Sequence, residues 1–314
     1  MENIPEDRIL KFHRNTLEDV RKTYGYESSA DMKNAVDILD EWMKTQNHFV
    51  KKDFSREYLE RTIITTKGSV ERAKSRLDKV CTLRTLMPHF FGEYDVKEYF
   101  KEYYYKYFTH AAMPQMTEDN YRVFVLKNVG SKYESRNFLD YYRLFIIFAE
   151  YLRAHDYANG YIFVMDYTEL SLMDFLPKMN PVDLRQALTV LMEGYGVRIK
   201  GIHLITQSKF IDGVVAVFKQ VLSTKVGERI QVHKDMDSLH KFVPKEILPR
   251  EYGGEDKSLR ELHDAWVEVL SSESHTMYQK MMNAAKTDES LRQTDKFNDQ
   301  YMGMPGTFRT LSVD

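Results

Sequence analysis

The chain has 314 residues, with 45 Lys and Arg against 47 Asp and Glu and a formal net charge of −2. That balance excludes a generally basic nucleic-acid-binding protein and confines any basic patch to one locality. Hydrophobic residues make up 43%, with 21 Tyr and 18 Phe, enough for a sizeable core in one large domain or two smaller ones. The single cysteine, Cys81, excludes an internal disulfide and fits a reducing compartment. The start, MENIPEDRIL, lacks a charged-then-apolar leader, and no run reaches the ~18 apolar residues of a membrane span. A cytoplasmic protein is expected. The 16 Met residues exceed what packing usually needs and suit adaptable apolar surfaces.

Residues 1–24 are expected to be helical, with Ile9, Leu10, Phe12, Leu17 and Val20 as an apolar stripe. Ser29 or Asp31 caps a second helix in which Met32, Val36, Leu39, Trp42 and Met43 recur at helical spacing. A third covers roughly Ser55–Thr66, and a fourth, capped by Gly68-Ser69, covers Val70–Met87 and stops before Pro88. Cys81 falls on an apolar helix face with no His placed to make it a nucleophile. Tyr99–His110 interleaves aromatics with lysines, but with so few cations it reads as a packing segment between two units, not a base-stacking platform.

From Tyr121 the pattern changes. Val123–Leu126 reads as a short strand ended by Gly130, and Phe138–Ala154 as a strongly apolar helix. Asn159-Gly160 turns the chain into Tyr161–Asp166, a continuous apolar run expected of a strand buried on both faces. Asn180-Pro181 opens a helix with Leu184, Ala187, Leu188, Leu191 and Tyr195 inward, ended by Gly194 and Gly196. Strand, helix and strand with short links imply parallel pairing. In the next strand, within Val197–Thr206, Arg198 and Lys200 lie two apart and share a face that Ile202 and Leu204 continue. Phe210–Leu222 has little polar circumference, as in a helix that is fully buried or covers something apolar other than protein. Ile230–Val232 is a last strand and Leu259–Leu270 a helix. Beyond Glu273 the chain turns polar and Met-rich, ending in a loose tail, MGMPGTFRTLSVD.

The order of these elements, with RIKGIHLI at Arg198–Ile205 and FVPKEILPREYGGE at Phe242–Glu255, resembles the CRAL-TRIO lipid-transfer family. The resemblance extends over roughly Ala30–Leu270 and is strongest to the alpha-tocopherol transfer protein and retinaldehyde-binding protein branch, which has many insect members. It implies an α/β fold in which an N-terminal all-α bundle precedes a CRAL-TRIO domain with a mainly parallel sheet, an apolar pocket and a mobile lid helix. The expected division is a helical domain at 1–95, a lipid-binding domain at 96–256, and a C-terminal helix and flexible tail at 257–314.

On the same resemblance, Phe210–Leu222 takes the lid position, so Ile211, Val214, Val215, Phe218, Val221 and Leu222 are expected to touch ligand. Tyr142, Phe145 and Ala149 match pocket-lining positions, as do Met165, Val190, Leu191, Ile199 and Ile202. The branch often carries small hydroxyl residues where Phe145 and Ala149 stand, and their replacement removes hydroxyl contacts and part of the pocket volume. Arg198, Lys200, Lys225 and Arg229 match four positions of a phosphoinositide headgroup site, and cations of this kind suit phosphate oxygens. TIITTKG at Thr62–Gly68 departs from an Arg-containing stretch of the relatives, with Lys67 the cation nearest to a fifth contact in sequence.

The implied function is non-enzymatic transfer of a small hydrophobic ligand (tocopherol, retinoid, carotenoid or a terpenoid such as a juvenile hormone), with transient contact to phosphoinositide-containing membranes. A monomer is expected, with no cofactor, no nucleic-acid partner and no metal. The alternative is a phosphoinositide- or phospholipid-exchange module in signalling. An enzyme ranks third: the chain has no G-x-S-x-G, P-loop, H-E-x-x-H or dinucleotide fingerprint. HKDMDSLH at His233–His240 matches no standard metal spacing, His203 reads as a hydrogen-bonded structural histidine, and Gly253-Gly254 as a tight turn needing positive φ.

Overall fold

The computed structural model describes residues 4–92, 95–99, 107–129, 134, 137–255 and 257–292. Its centre is a five-stranded sheet in sequential order: β1 (Phe108–Met116), β2 (Tyr121–Asn128), β3 (Gly160–Asp166), β4 (Ile199–Ile205) and β5 (Ile230–His233). β1 runs antiparallel to β2, and β2 through β5 are mutually parallel. The expected mixed α/β architecture with a mainly parallel sheet is therefore what forms. The Gly130 end of β2, most of Tyr99–His110 and the MGMPGTFRTLSVD tail lie outside the described residues.

The N-terminal layer holds α1 (Thr16–Thr23), α2 (Ser29–Thr45), α3 (Arg56–Thr65) and α4 (Val70–Leu86). Ser28, not Ser29 or Asp31, is the N-cap of α2, and Asp31 completes a capping box with it; Ser55 and Ser69 cap α3 and α4. The helix expected over 1–24 is confined to α1. Upstream, the Asp7 carboxylate accepts from the amides of Ile9 and Leu10 at 2.9 and 2.8 Å and turns the chain. The Lys11 amide then donates to the Pro114 carbonyl at 2.9 Å, so this segment is a strap across the sheet edge. Cys81 is fully buried, and burial pushes its thiol up to about 12, which keeps it protonated at neutral pH.

β1 was not legible as a strand because Pro114 reads as a breaker. It is tolerated because β1 is an edge and its register shifts between Ala112 and Met116. α5 (Asn137–His155) covers β1 and β2 through His110, Phe124, Phe145 and Phe148. α6 (Pro181–Leu188), capped by the Asn180 side chain, runs directly into a wider π turn over Thr189–Gly194. A Cβ on Gly194 would meet Leu83 at 3.2 Å, so this turn presses against α4.

α7 (Ile211–Val221) is more amphipathic than its composition suggests. Ile211, Val214, Phe218 and the following Leu222 are buried, while Asp212, Ala216, Lys219 and Gln220 face out. α8 (Leu259–Leu270) docks on β1 through Trp266, whose indole N–H donates to the Ala112 carbonyl at 2.8 Å. The polar stretch after Glu273 contains a further helix, α9 (Glu273–Asn283), and the chain beyond it pairs Thr287 with Phe49 and Arg292 with Asp78 at 2.6 Å. Residues 257–292 are thus fastened to the N-terminal layer.

Two buried ion pairs join these parts. The Arg122 guanidinium grips Asp156 through Nε at 3.1 Å and Nη2 at 2.8 Å, both side chains being fully buried. Arg84 of α4 donates to Glu150 of α5 at 2.6 Å, and the hydroxyls of Tyr195 and Tyr278 donate to the same carboxylate at 2.7 and 3.0 Å. Among the described residues no helix is long and apolar enough to cross a membrane.

Candidate functional site

β3 shows where the hollow lies. Ile162, Val164 and Asp166 are buried, whereas the alternate residues Tyr161, Phe163 and Met165 retain partial exposure under a roof of helices. Residues facing a packed helix layer should be the more buried set, so the space above them is incompletely filled. A cavity of about 100 Å³ lies there, floored by Phe163, Met165, Ile199 and Ile202 and roofed by Tyr142 and Phe145 of α5, Leu184 and Leu188 of α6, and Phe218 and Leu222. A second hollow of about 60 Å³, reaching Phe124, Phe148 and Ala149, shares Phe145, Phe163, Leu191 and Val197 with the first. These side chains stand between the two hollows, the second of which also meets Arg61, Arg153 and Asp156. Small-molecule sites usually measure ~300–1,000 Å³, so a terpenoid-sized guest fits only if the dividing rings and α7 move apart.

Of the side chains expected to line the pocket, Tyr142, Phe145, Met165, Leu191, Ile199, Ile202, Phe218 and Leu222 meet at the first hollow, and Ala149 at the second. Val190 is fully buried outside both, in the turn that packs on α4. Ile211 and Val214 are buried on the inner face of α7 without reaching the wall, and Val215 and Val221 sit half-buried on its flanks. Sequence reasoning missed Phe163, although its two-residue spacing from Met165 placed it on the same face. It also missed Phe175 and Met179, which arrive on a single helical turn, Leu172–Phe175, and the 3-10 turn after it, too short for any periodic signal.

The expected basic face of β4 is split by a bulge. Tyr161 pairs with Ile199 but Ile162 pairs with Gly201, leaving Lys200 as the extra residue. Ile199 and Ile202, three apart, therefore both reach the cavity. Lys200 instead borders an open cleft of about 900 Å³ on the opposite side of the sheet, with His203, Glu228 and Arg229. The face shared by Arg198, Lys200, Ile202 and Leu204 does not exist, because register is set by the neighbouring strand and not by spacing alone.

The four cations accordingly occupy three places. Lys200 lies 4.6 Å over the Tyr121 ring and donates to its hydroxyl at 3.2 Å. Arg229, in the same cleft, donates to the Ile199 carbonyl. Lys225 is exposed in the turn Thr224–Gly227. Arg198 lies 4.9 Å over Tyr24, bonds Asn159, and belongs to a separate groove with Lys67, Arg72, Arg76 and Lys79. Arg76 donates to the carbonyls of Met192 and Glu193 at 2.5 and 2.6 Å; burial, then the nearby Arg153 charge, pushes it down to about 10, so it remains a cation at neutral pH.

His203 Nδ1 lies 2.9 Å from His233 Nε2, and burial, followed by that neighbour, lowers its pKa to about 4. His233 also reaches the Ser238 hydroxyl at 3.2 Å, and His240 the Tyr252 carbonyl at 2.8 Å. Each of these histidines has a protein partner, and the described residues contain no cluster of three or more metal-ligating side chains. Gly253 adopts φ 91°, and a Cβ on Gly254 would meet the Leu248 carbonyl oxygen at 1.7 Å, so both glycines are required by the turn.

Comparison with known proteins finds two domain matches and several partial relatives. Residues 28–99 match the Pinta-like UBA domain, and residues 109–254 match the CRAL/TRIO domain. The mouse protein named alpha-tocopherol transfer protein-like is 33% identical over 98 residues, 31% of this chain and 28% of that protein. Rat clavesin-2 is 32% identical over 98 residues, 31% of this chain and 30% of its own, and Xenopus laevis clavesin-1 is 30% identical over 125 residues, 38% and 37% respectively. The matched stretches thus span well under half of these relatives. The crystal structure of Sfh5 aligns with 87% of this chain and 99% of its own, at 14% identity and a TM-score of 0.45. Residues 109–254, just under half of the chain, are a CRAL/TRIO domain.

Proposed function

We propose that the protein is a non-enzymatic carrier of a small hydrophobic ligand. The observation that carries this reading is the partly exposed apolar floor of Phe163 and Met165 beneath α7, space that a well-packed core would have filled. The ligand class spans tocopherols, retinoids, carotenoids and terpenoids such as juvenile hormones; the name of one relative, alpha-tocopherol transfer protein-like, belongs to the same range. Burial at ~25 cal/mol per Å² supplies several kcal/mol of affinity for a terpenoid-sized guest, so release has to be coupled to another event. We assign that event to opening of α7 at a phosphoinositide-containing membrane, with residues 96–256 as the lipid-binding unit between the helical domain at 1–95 and the C-terminal segment at 257–314. Native mass spectrometry of the purified monomer, before and after incubation with such lipids, is expected to show a one-to-one adduct. Empty protein throughout would overturn the reading.

The cations favour a phosphorylated headgroup as the membrane signal, or as cargo if the protein is instead a phospholipid-exchange module. Replacing Arg198, Lys200, Lys225 and Arg229 together by Ala is expected to cut binding to phosphoinositide vesicles at least about tenfold, since each phosphate contact is charge-assisted. Since the four lie in three places, the single variants are expected to rank unequally, with R198A separable from K200A and R229A. Unchanged vesicle binding by the quadruple variant would remove the phosphoinositide role while leaving the cavity available.

A further inference from the structure

The cavity wall holds one polar atom that the fold leaves without use. Tyr142 is buried on α5 and lines the larger hollow, and its hydroxyl has no hydrogen-bond partner among the described residues. The Tyr167 hydroxyl, on the same wall, points to the Met165 sulfur at 3.5 Å. Around Tyr142 stand rings, Phe138 at 6.3 Å and Tyr141 at 5.8 Å between centroids. A buried hydroxyl with no partner costs stability that phenylalanine, the same shape without the oxygen, would not. Tyr142 lies three and seven residues before Phe145 and Ala149, the same side of the helix by periodicity, and neither of those carries a hydroxyl.

Resting on the carrier reading, we propose that the Tyr142 hydroxyl is the specificity-determining donor of the cavity, and that the ligand is a mostly apolar molecule bearing one neutral oxygen acceptor, such as a ketone or ester. Burial first, then the nearby Asp183 carboxylate and Tyr167, raises the Tyr142 pKa, so the hydroxyl keeps its proton and acts as a donor. The same Asp183 charge, at the start of α6, opposes an anionic ligand head in this part of the cavity. A bare hydrocarbon would leave the hydroxyl unpaired, and a site built around a buried donor discriminates against such a ligand.

The test uses three matched probes on the full chain: farnesylacetone, its analogue with a methylene in place of the ketone oxygen, and farnesylacetic acid. Wild type is expected to bind the ketone about tenfold more tightly than either of the others, as one buried hydrogen bond provides. Tyr142→Phe is expected to erase that preference to within about twofold while leaving hydrocarbon affinity unchanged. The ligand-free variant should melt no lower than wild type, because no protein hydrogen bond is lost. A ketone preference that survives in Y142F, an absent preference in wild type that still binds the hydrocarbon, or a lower Tm of ligand-free Y142F would each overturn the assignment. Failure of all three probes to bind wild type would overturn the carrier reading, and this assignment with it.

Discussion

Glu150→Ala is expected to be strongly destabilising, costing about 3–5 kcal/mol, the range for removing one partner of a buried ion pair. Glu150 is 1% exposed and Arg84 fully buried, so the guanidinium left behind cannot recover water. Three donors lose an acceptor at once: Arg84 Nη2, which keeps the Tyr195 hydroxyl at 3.3 Å, the Tyr195 hydroxyl and the Tyr278 hydroxyl. Burial, then the carboxylate itself, holds Tyr195 protonated in the native state, so its O–H would be orphaned, not ionised. These donors come from α4, from the residue after the π turn, and from α9, so the loss should loosen the N-terminal layer, the cavity roof and the C-terminal helix together. Thermal unfolding is the measurement, with a fall in Tm of roughly 10 °C for a chain of this size. The exposed pair Lys22–Glu18, with side chains 48% and 56% exposed, supplies the comparison: Glu18→Ala is expected to leave the melting temperature at the wild-type value. If E150A melts like wild type, the carboxylate is not the junction described. The double variant R84M/E150L should recover much of the loss, since apolar replacement of both partners removes the uncompensated charge.

The same network marks the limit of what the sequence could tell. Helical stripes located α3, α4, α5 and α8 to within a residue or two, because each helix carries its own period, and the existence of α2 was legible although its cap was misplaced. The parallel strands β2, β3 and β4 were legible from short apolar runs between helices. β1 was not: FTHAAMPQM contains a proline and too few β-branched residues, and only its edge position makes the proline harmless. α9 was missed because the side chains it buries include His275 and Gln279, while Met277, on a face that a stripe rule would turn inward, is 66% exposed. The bulge at Lys200 is a property of the β3–β4 pair and leaves no trace in either strand alone. The roles of adjacent apolar residues are equally hidden. Val190 and Leu191 look alike in sequence, yet the first packs on α4 and the second stands between the two hollows.

That difference gives the second large effect. Leu191→Trp is expected to abolish ligand uptake while preserving the fold. Leu191 borders both hollows and is only half-buried, so the added rings have space to enter, about 100 Å³ on one side and 60 Å³ on the other. Overpacking a filled core costs ~1–3 kcal/mol, and the cost here should sit at the low end because the volume is already empty. The guest meets the opposite situation. It needs the hollows merged, and an indole wedged between Phe145 and Phe163 prevents that. A loss of affinity of at least about a hundredfold follows if even a modest part of the ligand's apolar burial, at ~25 cal/mol per Å², is blocked. The neighbouring Val190→Trp should behave in reverse, losing stability by the full overpacking cost because Val190 is 0% exposed and outside the cavity, while any folded fraction keeps its affinity. Uptake measured by native mass spectrometry, beside thermal unfolding of both variants, separates the two effects. Wild-type uptake by L191W would mean that the guest occupies some other part of the molecule, and the large cleft bordered by Lys200 and Arg229 would then be the place to look.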